Sequence, residues 1–291
     1  MLQPTRIQRS VQPARPEADQ GPLAEGREFV WGPADFRRIK EMIYRKAGIS
    51  LHDGKHAMVY SRVSRRLRET GHGSFSAYLD WLEHHDGAEW QEFINALTTN
   101  LTAFFREEHH FSILADLLRS DRGRAWRIWC AASSTGEEPY SIAMTALETL
   151  GNTGQFEIVN SDIDTRVLET AARGIYKMDG IKGLSPERLQ RHFMRGKGAN
   201  AGLMRVKPEL QRHMGFQTVN LIHDLPFREP FDLVFCRNVM IYFDATTQRQ
   251  VLERIHRVMK PGGMLFVGHA ENFSDARNLF ALRGKTVYER L

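Results

Sequence analysis

Residues 126 to 141 read WRIWCAASSTGEEPYS, and this stretch decides the fold. Its first seven residues, from Trp126 to Ala132, form a short apolar run with the length of a buried strand. Small residues follow as far as Gly136, and Pro139 suits the first turn of a helix. The stretch therefore predicts a strand, a turn of small residues and a helix. In an open parallel sheet, ligands bind at the carboxyl end of such a strand.

The chemistry of this turn does not suit a dinucleotide. It has one glycine, Gly136, where a dinucleotide-binding turn has the pattern G-x-G-x-x-G. Glu137 and Glu138 stand where a pyrophosphate would meet the helix N-terminus, and they would repel it. A ligand with a cationic end, such as S-adenosylmethionine with its ammonium and sulfonium groups, suits the turn better. The alternative is that both glutamates only stabilise the helix dipole.

The composition indicates a folded protein of one large domain or two, because 42% of its 291 residues are hydrophobic. No apolar run approaches the roughly 18 residues of a membrane span, and the N-terminus lacks the apolar region of a signal peptide. Cys130 and Cys236 lie within predicted strands, which indicates buried thiols in a reducing compartment. The net charge of +5 permits nucleic acid or any acidic partner.

The histidines do not predict a metal site. The chain has twelve of them, and they form no cluster with ligand spacing. Adjacent pairs such as His109 and His110 are not expected to face one site from a helix. We therefore expect no metal.

Composition and periodicity divide the chain into four parts. Residues 1–26 hold four of the eleven prolines and few large apolar side chains, which predicts a disordered tail. Residues 27–98 have helical periodicity and predict a domain of about four helices, and residues 99–125 predict a linker and a helix. In residues 126–291 strands and helices alternate, as in a parallel α/β sheet, with a β-subdomain inserted at about 175–214.

Five parallel strands and a closing hairpin are predicted in the α/β part. Asp162 ends the second strand, where it could accept both ribose hydroxyls of a nucleoside or, like Asp164, cap the next helix. The sequence KPGG at residues 260–263 is expected to end the helix before the fifth strand. The predicted strands span residues 126–132, 156–162, 215–221, 231–238 and 264–267, and the hairpin spans 280–282 and 286–290.

Two further segments each allow two interpretations. The second helix has a basic face with little acid except Glu69 to balance it, so the face is either solvated or docks an acidic helix or phosphates. Residues 98–106, TTNLTAFFR, are either a capped loop with two phenylalanines in the core or a functional segment. The residues of the basic face are Lys55, Arg62, Arg65 and Arg66.

Five motifs in order resemble the CheR family, the chemotaxis receptor methyltransferases, over about residues 29–291. They read TNLTAFFR at 99–106, ASSTGEEPY at 132–140, SDIDT at 161–165, FCRNVMIYF at 235–243 and GHAENF at 268–273. The resemblance implies a cytoplasmic enzyme that moves methyl from S-adenosylmethionine to glutamate side chains on chemoreceptors, leaving S-adenosylhomocysteine. It also implies a helical domain on a Rossmann-like methyltransferase domain with a small antiparallel β-subdomain. One active site per chain makes a monomer sufficient.

The resemblance also implies roles for individual residues. Arg106 and Tyr242 would lie nearest the methyl group, and the basic helix would meet the acidic methylation helix of the receptor. The glycine-spaced loop with Gly196, Gly198 and Gly202 is similar to that of members that bind a short peptide at the receptor C-terminus by adding a strand. The residues implied to contact the cofactor are Asn100, Thr102, Arg106 and Glu137 at its methionine end, Asp162 at the ribose, Asn220 and Leu221 at the adenine, and Arg237 and Asn238 at the far wall.

Two other functions remain as alternatives. A nucleic-acid methyltransferase could use the basic helix for phosphate contacts. Against it, the fourth strand continues into CRNVMIYF at 236–243 rather than into a Pro-Pro-aromatic turn. A non-catalytic adaptor could keep the methyltransferase fold and only bind receptors. Against it, none of the expected cofactor positions in the motifs is visibly altered.

Overall fold

The computed structural model describes residues 27–85, 87–273 and 276–291, so the predicted tail at 1–26 lies outside the described residues. A helical part is followed by an α/β part, as the alternation of patterns predicts. Within the described ranges, every helix is too short or too polar to cross a lipid bilayer.

Four α-helices of the described ranges pack around one apolar core in the helical part. Ser74 caps the third helix as predicted, because its hydroxyl accepts a hydrogen bond from the backbone N–H of Ala77. The first helix ends at Gly48, whose φ is +71° and where a Cβ would lie 2.6 Å from Ile222 of the α/β part. Glycine at this position therefore permits both the turn and the close contact between the two parts. The helices are α1 (Pro33–Ala47), α2 (His56–Thr70), α3 (Phe75–His84) and α4 (Ala88–Leu97).

The α/β part contains two sheets flanked by helices. Its helices are α5 (His109–Ser120), α6 (Glu137–Leu150), α7 (Thr165–Arg173), α8 (Pro186–His192), α9 (Pro208–Gln211) and α10 (Ala245–Arg257). Its strands are β1 (Trp126–Cys130), β2 (Phe156–Asp162), β3 (Ile175–Lys177), β4 (Phe193–Arg195), β5 (Leu203–Val206), β6 (Met214–Thr218), β7 (Phe231–Phe235), β8 (Met259–Phe266), β9 (Phe280–Gly284) and β10 (Val287–Arg290).

The larger sheet has seven strands among the described residues, in the order β6-β2-β1-β7-β8-β10-β9. The first five in that order are parallel, and β10 pairs antiparallel with β8 and β9. Successive residues of β1 face opposite sides: Ile128 packs in one apolar cluster and Trp129 in the other. The chain runs outward from β1 through β2 to β6 and then returns to β7. The strand order therefore reverses at β1, and a crevice opens at the carboxyl ends of β1, β2 and β7.

The smaller sheet confirms the predicted β-subdomain. It has the antiparallel order β3-β5-β4, and the predicted hairpin forms its β4 and β5 strands. A Cβ at Gly196 would lie 2.0 Å from the carbonyl oxygen of Asn200, and Gly198 and Gly202 have φ of +58° and +85°. The three glycines thus let the loop between β4 and β5 fold back tightly on itself.

The prediction for residues 260–263 is wrong. This Lys-Pro-Gly-Gly segment lies inside β8 and does not end a helix. Lys260 donates to both carboxylate oxygens of Asp232 on β7, at 2.9 and 3.0 Å, and a Cβ at Gly263 would lie 2.9 Å from the carbonyl oxygen of Asp232. The pairing of β8 with β7 joins residues that are distant in sequence, so it could not be predicted from the local Pro-Gly-Gly pattern. The third and fourth strands also end earlier than predicted, at Thr218 and Phe235.

Candidate functional site

A cleft lies at the carboxyl ends of β1, β2 and β7 and encloses about 910 Å³ of space, part of it open to solvent. The helical part contributes Ala47 and Ile49 to its wall, so both parts of the chain build it. The rest of the wall comes from residues 97–102, Arg106, Ala131, Ala132, Ser134, Glu138, Asp162, Ile163, residues 219–221, residues 237–239, Tyr242 and Phe243.

Asp162 joins the ends of β1 and β2. Its carboxylate accepts hydrogen bonds from the backbone N–H groups of Ser134, at 2.8 Å, and Asp164, at 3.0 Å. The side chain is buried, and burial raises its pKa to about 6 even though these N–H groups oppose the shift. Asp164, rather than Asp162, caps α7 by accepting from Arg166 and Val167. The capping alternative for Asp162 is therefore excluded, and its predicted contact with a ribose stays a prediction.

Residues 98–102, which form one wall of the cleft, are fixed to the N-terminus of α7. Asn100 donates from its side chain to Asp164 at 2.8 Å, and the hydroxyl of Thr98 donates to the same carboxylate at 2.6 Å. The hydroxyl of Ser134 lies 3.4 Å from the carbonyl oxygen of Asn100. These bonds hold residues 98–102, including Thr102, beside the turn that follows β1.

A buried arginine organises the opposite wall. Arg237 follows β7 and is 4% exposed, with one guanidinium nitrogen 2.6 Å from the carboxylate of Glu138. Its other terminal nitrogen donates to the carbonyl oxygen of Arg106 at 2.6 Å and lies 3.3 Å from the carboxylate of Glu107. Burial raises the pKa of Glu138, while the charge of Arg237 opposes that shift. The wall thus contains a buried ion pair that also holds the segment carrying Arg106.

Arg106 and Tyr242 both line the cleft. The Arg106 guanidinium donates to the carbonyl oxygen of Leu101 at 2.9 Å. Tyr242 ends a short 3₁₀ turn (Met240–Tyr242), and its carbonyl oxygen accepts from the N–H of Ser50 in the helical part at 2.8 Å. The two residues predicted to act nearest the methyl group therefore line the same cavity. Their catalytic roles stay predictions.

Asn220, Leu221 and Asn238 also line the cleft, where they were expected. The Asn220 side chain donates to the carbonyl oxygen of Lys46 at 2.7 Å, which ties this wall to the end of α1. Asn238 has φ of +57°, and its backbone N–H donates to Glu271 at 2.9 Å. Their predicted contacts with a cofactor are not tested by this geometry.

Glu137 is the expected cofactor residue that the structure does not bring to the cleft. Its carboxylate accepts from the hydroxyl of Thr135 at 2.6 Å, and burial raises its pKa. The adjacent Glu138 lines the cleft instead, because its position on α6 turns it toward Arg237. Both glutamates were predicted to lie at the ligand-binding turn, but only Glu137 was implied to contact the cofactor. Arg237 at the end of a buried strand favours a nearby acid, and in the fold that acid is Glu138.

The predicted basic face is smaller than expected. Arg66 is buried and pairs with Glu69 and with Glu89 of α4, and the hydroxyl of Tyr78 donates to the same Glu89. It is therefore a core ion pair and not part of a docking surface. Arg62 is half-buried and donates to the carbonyl oxygens of Ala96 and Thr98, next to the cleft. Arg65 is exposed on α2 and pairs with Glu69, and Lys55 precedes the helix.

One group of side chains has ligand-like geometry. Ligand atoms of Glu107, His109 and His110 lie within 4.8 Å of one another, so the expectation that these adjacent histidines face apart is wrong. Arg237 already lies 3.3 Å from the Glu107 carboxylate. Burial, together with the charge of Arg237, lowers the pKa of His110 to about 4. This field disfavours an added cation at the cluster.

The donor set of the cleft fits S-adenosylmethionine. The carboxylates of Glu138 and Asp162 could accept from an ammonium and from ribose hydroxyls, and Arg106 could bind a carboxylate. Apolar side chains such as Ile163 and Val219 could pack against an adenine face. Nothing in this wall resembles a phosphate-binding loop.

Comparison with known proteins agrees with this description. The model of the CheR methyltransferase all-alpha domain matches residues 34–98, and that of the CheR methyltransferase SAM binding domain matches residues 100–288. A chemotaxis protein methyltransferase of Escherichia coli K12 is 55% identical over 261 residues, covering 88% of this chain and 90% of the relative. Chemotaxis protein methyltransferase 2 of Pseudomonas aeruginosa is 48% identical and covers 94% of this chain and 99% of the relative. The solved N-methyltransferase NodS of Bradyrhizobium japonicum is 12% identical, with a TM-score of 0.36 over 63% of this chain and 96% of that one.

Proposed function

Because the chain belongs to the CheR family of S-adenosylmethionine-dependent methyltransferases, we propose that its methyl acceptors are glutamate side chains of chemoreceptors. The observation that carries this proposal is the cleft beside β1. There Arg106, able to orient a carboxylate, faces the same cavity as the acids Glu138 and Asp162. We place the reaction in the cytoplasm, on the receptors' signalling helices.

The chemistry needs little from the protein besides alignment. Bound S-adenosylmethionine supplies a methyl group on a sulfonium, which an acceptor oxygen can displace directly. An unperturbed glutamate has a pKa of about 4.3, so it is already ionised near neutral pH and requires no general base. Consistent with this, none of the described residues that line the cleft is a histidine. Alignment alone can lower a barrier by up to about 7–11 kcal/mol in favourable systems.

Arg106 would orient the acceptor rather than activate it. A guanidinium can hold a carboxylate in a fixed plane, but a strong ion pair also makes the held oxygen a weaker nucleophile. We therefore assign Arg106 to gripping one acceptor oxygen or the carboxylate of the cofactor, which leaves the reacting oxygen free. Tyr242 would provide a hydrogen bond or a wall on the same side of the cavity.

Two surfaces would bind the receptor. The remainder of the basic face, which is the exposed Arg65 with the partly exposed Lys55 and Arg62, would meet the acidic methylation helix. The β-subdomain would bind a receptor-tail peptide by strand addition at β4, which is an edge strand next to the Gly196–Gly202 loop. Between residues 175 and 214 there are nine Lys and Arg against three Asp and Glu, a surplus of six where the whole chain has a surplus of five. This concentration of charge favours an acidic or carboxylate-ended peptide.

The decisive experiment is incubation of the protein with labelled S-adenosylmethionine and the cytoplasmic domains of candidate receptors. We expect base-labile label on receptor, which mass mapping would locate as methyl esters on glutamates. DNA and unrelated bulk protein serve as parallel acceptors. Label on DNA would favour the nucleic-acid alternative, and tight receptor binding without any transfer would favour the adaptor.

A titration with receptor-tail peptides tests the second surface separately. We expect binding to the isolated peptide and loss of binding when Arg195 or Arg205, on the paired strands β4 and β5, is replaced by glutamate. A tether of this kind would raise the local enzyme concentration to roughly millimolar for a flexible linker. Absence of affinity for every tail peptide would remove the tether while leaving the methyl transfer proposal intact.

A further inference from the structure

The catalytic segment, residues 102–107, has an unfavourable backbone on both sides of Arg106. Phe105 has φ of +53° and Glu107 has φ of +57°. Non-glycine residues adopt this left-handed conformation at a cost, and they keep it only where the surroundings fix it. The position of Arg106 therefore depends on whatever holds its two neighbours.

Phe105 is held from the side facing away from the cleft. Its ring is buried, and the guanidinium of Arg188 on α8 lies 4.0 Å from the ring centroid. The backbone N–H of Phe105 donates to the hydroxyl of Ser141 at 2.9 Å, and its ring packs edge-on against Phe111 at 4.9 Å. A guanidinium over an aromatic face is attractive, more so where water is partly excluded.

The guanidinium of Arg188 is itself held in place by an ion pair with Glu148. Its Nε lies 3.1 and 3.2 Å from the two carboxylate oxygens of Glu148, and Nη2 lies 2.9 Å from one of them. Nε2 of His192 lies 3.0 Å from the other oxygen. Although burial acts in the opposite direction, the hydrogen bonds and charges of these partners lower the pKa of Glu148 to about 2. The plane of the guanidinium is thus set by α6 and presented to the ring of Phe105.

The adjacent Phe104 is held by the β-subdomain. Its ring packs edge-on against Tyr176 of β3, at 5.3 Å, and Phe193 of β4, at 5.8 Å. A Cβ at Gly183 would lie 2.4 Å from the carbonyl oxygen of Phe104, so this loop also presses on the backbone of the segment. Both phenylalanines before Arg106 therefore rest on residues of the inserted subdomain or of its helix α8.

We propose that Arg188 is a positioning residue for methyl transfer, which stacks on Phe105 and thereby holds the strained backbone that presents Arg106 to the acceptor. Arg188 is not among the residues that line the cleft, so it acts through Phe105 and not by touching a substrate. This inference rests on the proposed function. It gives the β-subdomain a part in turnover that is separate from any grip on a receptor tail.

Replacement of Arg188 should lower the turnover number by a larger factor than it weakens cofactor binding. A displacement of about 1 Å in a catalytic group can cost on the order of a hundredfold in rate, so we expect Arg188→Ala to lower kcat about tenfold to a hundredfold. The Kd for S-adenosylmethionine should change by a smaller factor than kcat, because Arg106 is one of several expected cofactor contacts and the hydrogen bonds of Asp162 and Asn100 do not involve α8. Arg188→Lys keeps a charge for Glu148 but loses the planar stacking surface, and we expect an intermediate kcat.

The matched control is Arg191→Ala, which removes an exposed arginine from the same helix. It should leave kcat unchanged. Added guanidinium ion at non-denaturing concentration should restore part of the turnover of Arg188→Ala by filling the vacated place over Phe105, and should not accelerate the Arg191→Ala variant. Restoration distinguishes positioning from a general loss of stability, which guanidinium would worsen.

Measuring methyl transfer by the wild type first distinguishes a failure of the proposed function from a failure of the positioning role. An inactive wild type would contradict the proposed function and leave no turnover for Arg188 to support. With an active wild type, an unchanged kcat in folded Arg188→Ala would overturn the positioning role. A kcat loss accompanied by an equal loss of cofactor affinity and no guanidinium rescue would overturn it as well. If Arg188→Ala does not fold, Arg188→Lys is judged by the same three measurements.

Discussion

The guanidinium of Arg237 donates a hydrogen bond to the backbone carbonyl oxygen of Arg106 at 2.6 Å. One residue that follows β7 thus holds the main chain of the residue expected to orient the acceptor. The same guanidinium pairs with Glu138 on α6 and with Glu107, which has φ of +57°. Arg237 therefore links the sheet, α6 and the strained segment around Arg106. Arg106 can present its side chain to the cavity because its backbone has little freedom to move.

Replacement of Arg106 by alanine should lower the turnover number more than tenfold while the protein stays folded. The side chain donates to Leu101 at the surface of the segment, so its loss removes no buried contact. Arg106→Lys should recover only part of the rate, because an ammonium cannot hold a carboxylate in a plane. The measurement is label transfer to receptor at saturating cofactor, with thermal unfolding as the control. Near-normal turnover in the alanine variant would refute the role.

Tyr242→Phe should test whether the hydroxyl or the ring matters. If the hydroxyl donates a hydrogen bond to the acceptor or cofactor, its removal should lower kcat by about tenfold to a hundredfold, since a hydrogen bond to a charged group is worth about 1.5–3 kcal/mol. The ring stays in place as part of the wall, so the unfolding temperature should not change. A wild-type kcat would assign Tyr242 to shape alone. Steady-state kinetics with receptor as the varied substrate make the distinction.

Cofactor affinity should depend on pH through Asp162. Burial raises the pKa of this carboxyl to about 6, and the ionised form is the better acceptor for two ribose hydroxyls. The Kd for S-adenosylmethionine should therefore rise as pH falls below about 6, and Asp162→Asn should bind weakly without this dependence. Calorimetric titrations between pH 5 and pH 8, about the range where the group changes charge, measure both. A wild-type Kd that stays flat across this range would contradict the assignment.

The same group gives a stability effect of known sign. Its folded pKa lies above its unfolded value of 3.8, so the folded state binds more protons between about pH 4 and pH 6. The contribution of Asp162 to the free energy of unfolding is consequently greatest at low pH and falls as pH rises through about 6. Bound cofactor that donates to the carboxylate should reduce this loss.

Local patterns predicted most of the fold because they need only neighbouring residues. The apolar run at 126–132 and the hydrophobic stripes of the helices are signals of this kind. The errors come from contacts between distant residues. Arg66 was predicted to be on the surface because Glu89, its partner, is 23 positions away on another helix. Local sequence did not show that Glu138 rather than Glu137 lines the cleft, because Arg237, which pairs with Glu138, follows it by 99 positions. The pattern at 98–106 allowed a loop with two core phenylalanines or a functional segment, and both phenylalanines are indeed in the core, but the positive φ values around Arg106 had no local signal.

The two arginines Arg65 and Arg66 should respond in opposite ways to substitution. Arg66 is buried beside Glu69 and Glu89, so Arg66→Ala leaves the partly buried carboxylate of Glu89 with only the Tyr78 hydroxyl and should lower the free energy of unfolding by about 1–3 kcal/mol. Arg65 is 67% exposed, and Arg65→Glu should leave stability nearly unchanged.

If α2 docks an acidic receptor helix, Arg65→Glu should raise KM for receptor, with kcat and cofactor Kd unchanged. Raising the salt concentration should bring the KM values of Arg65→Glu and the wild type closer together, because added ions screen exposed charges. Chemical denaturation and receptor kinetics on the same two proteins separate the core arginine from the docking arginine, and an unchanged KM for Arg65→Glu at low salt would remove α2 from the receptor interface.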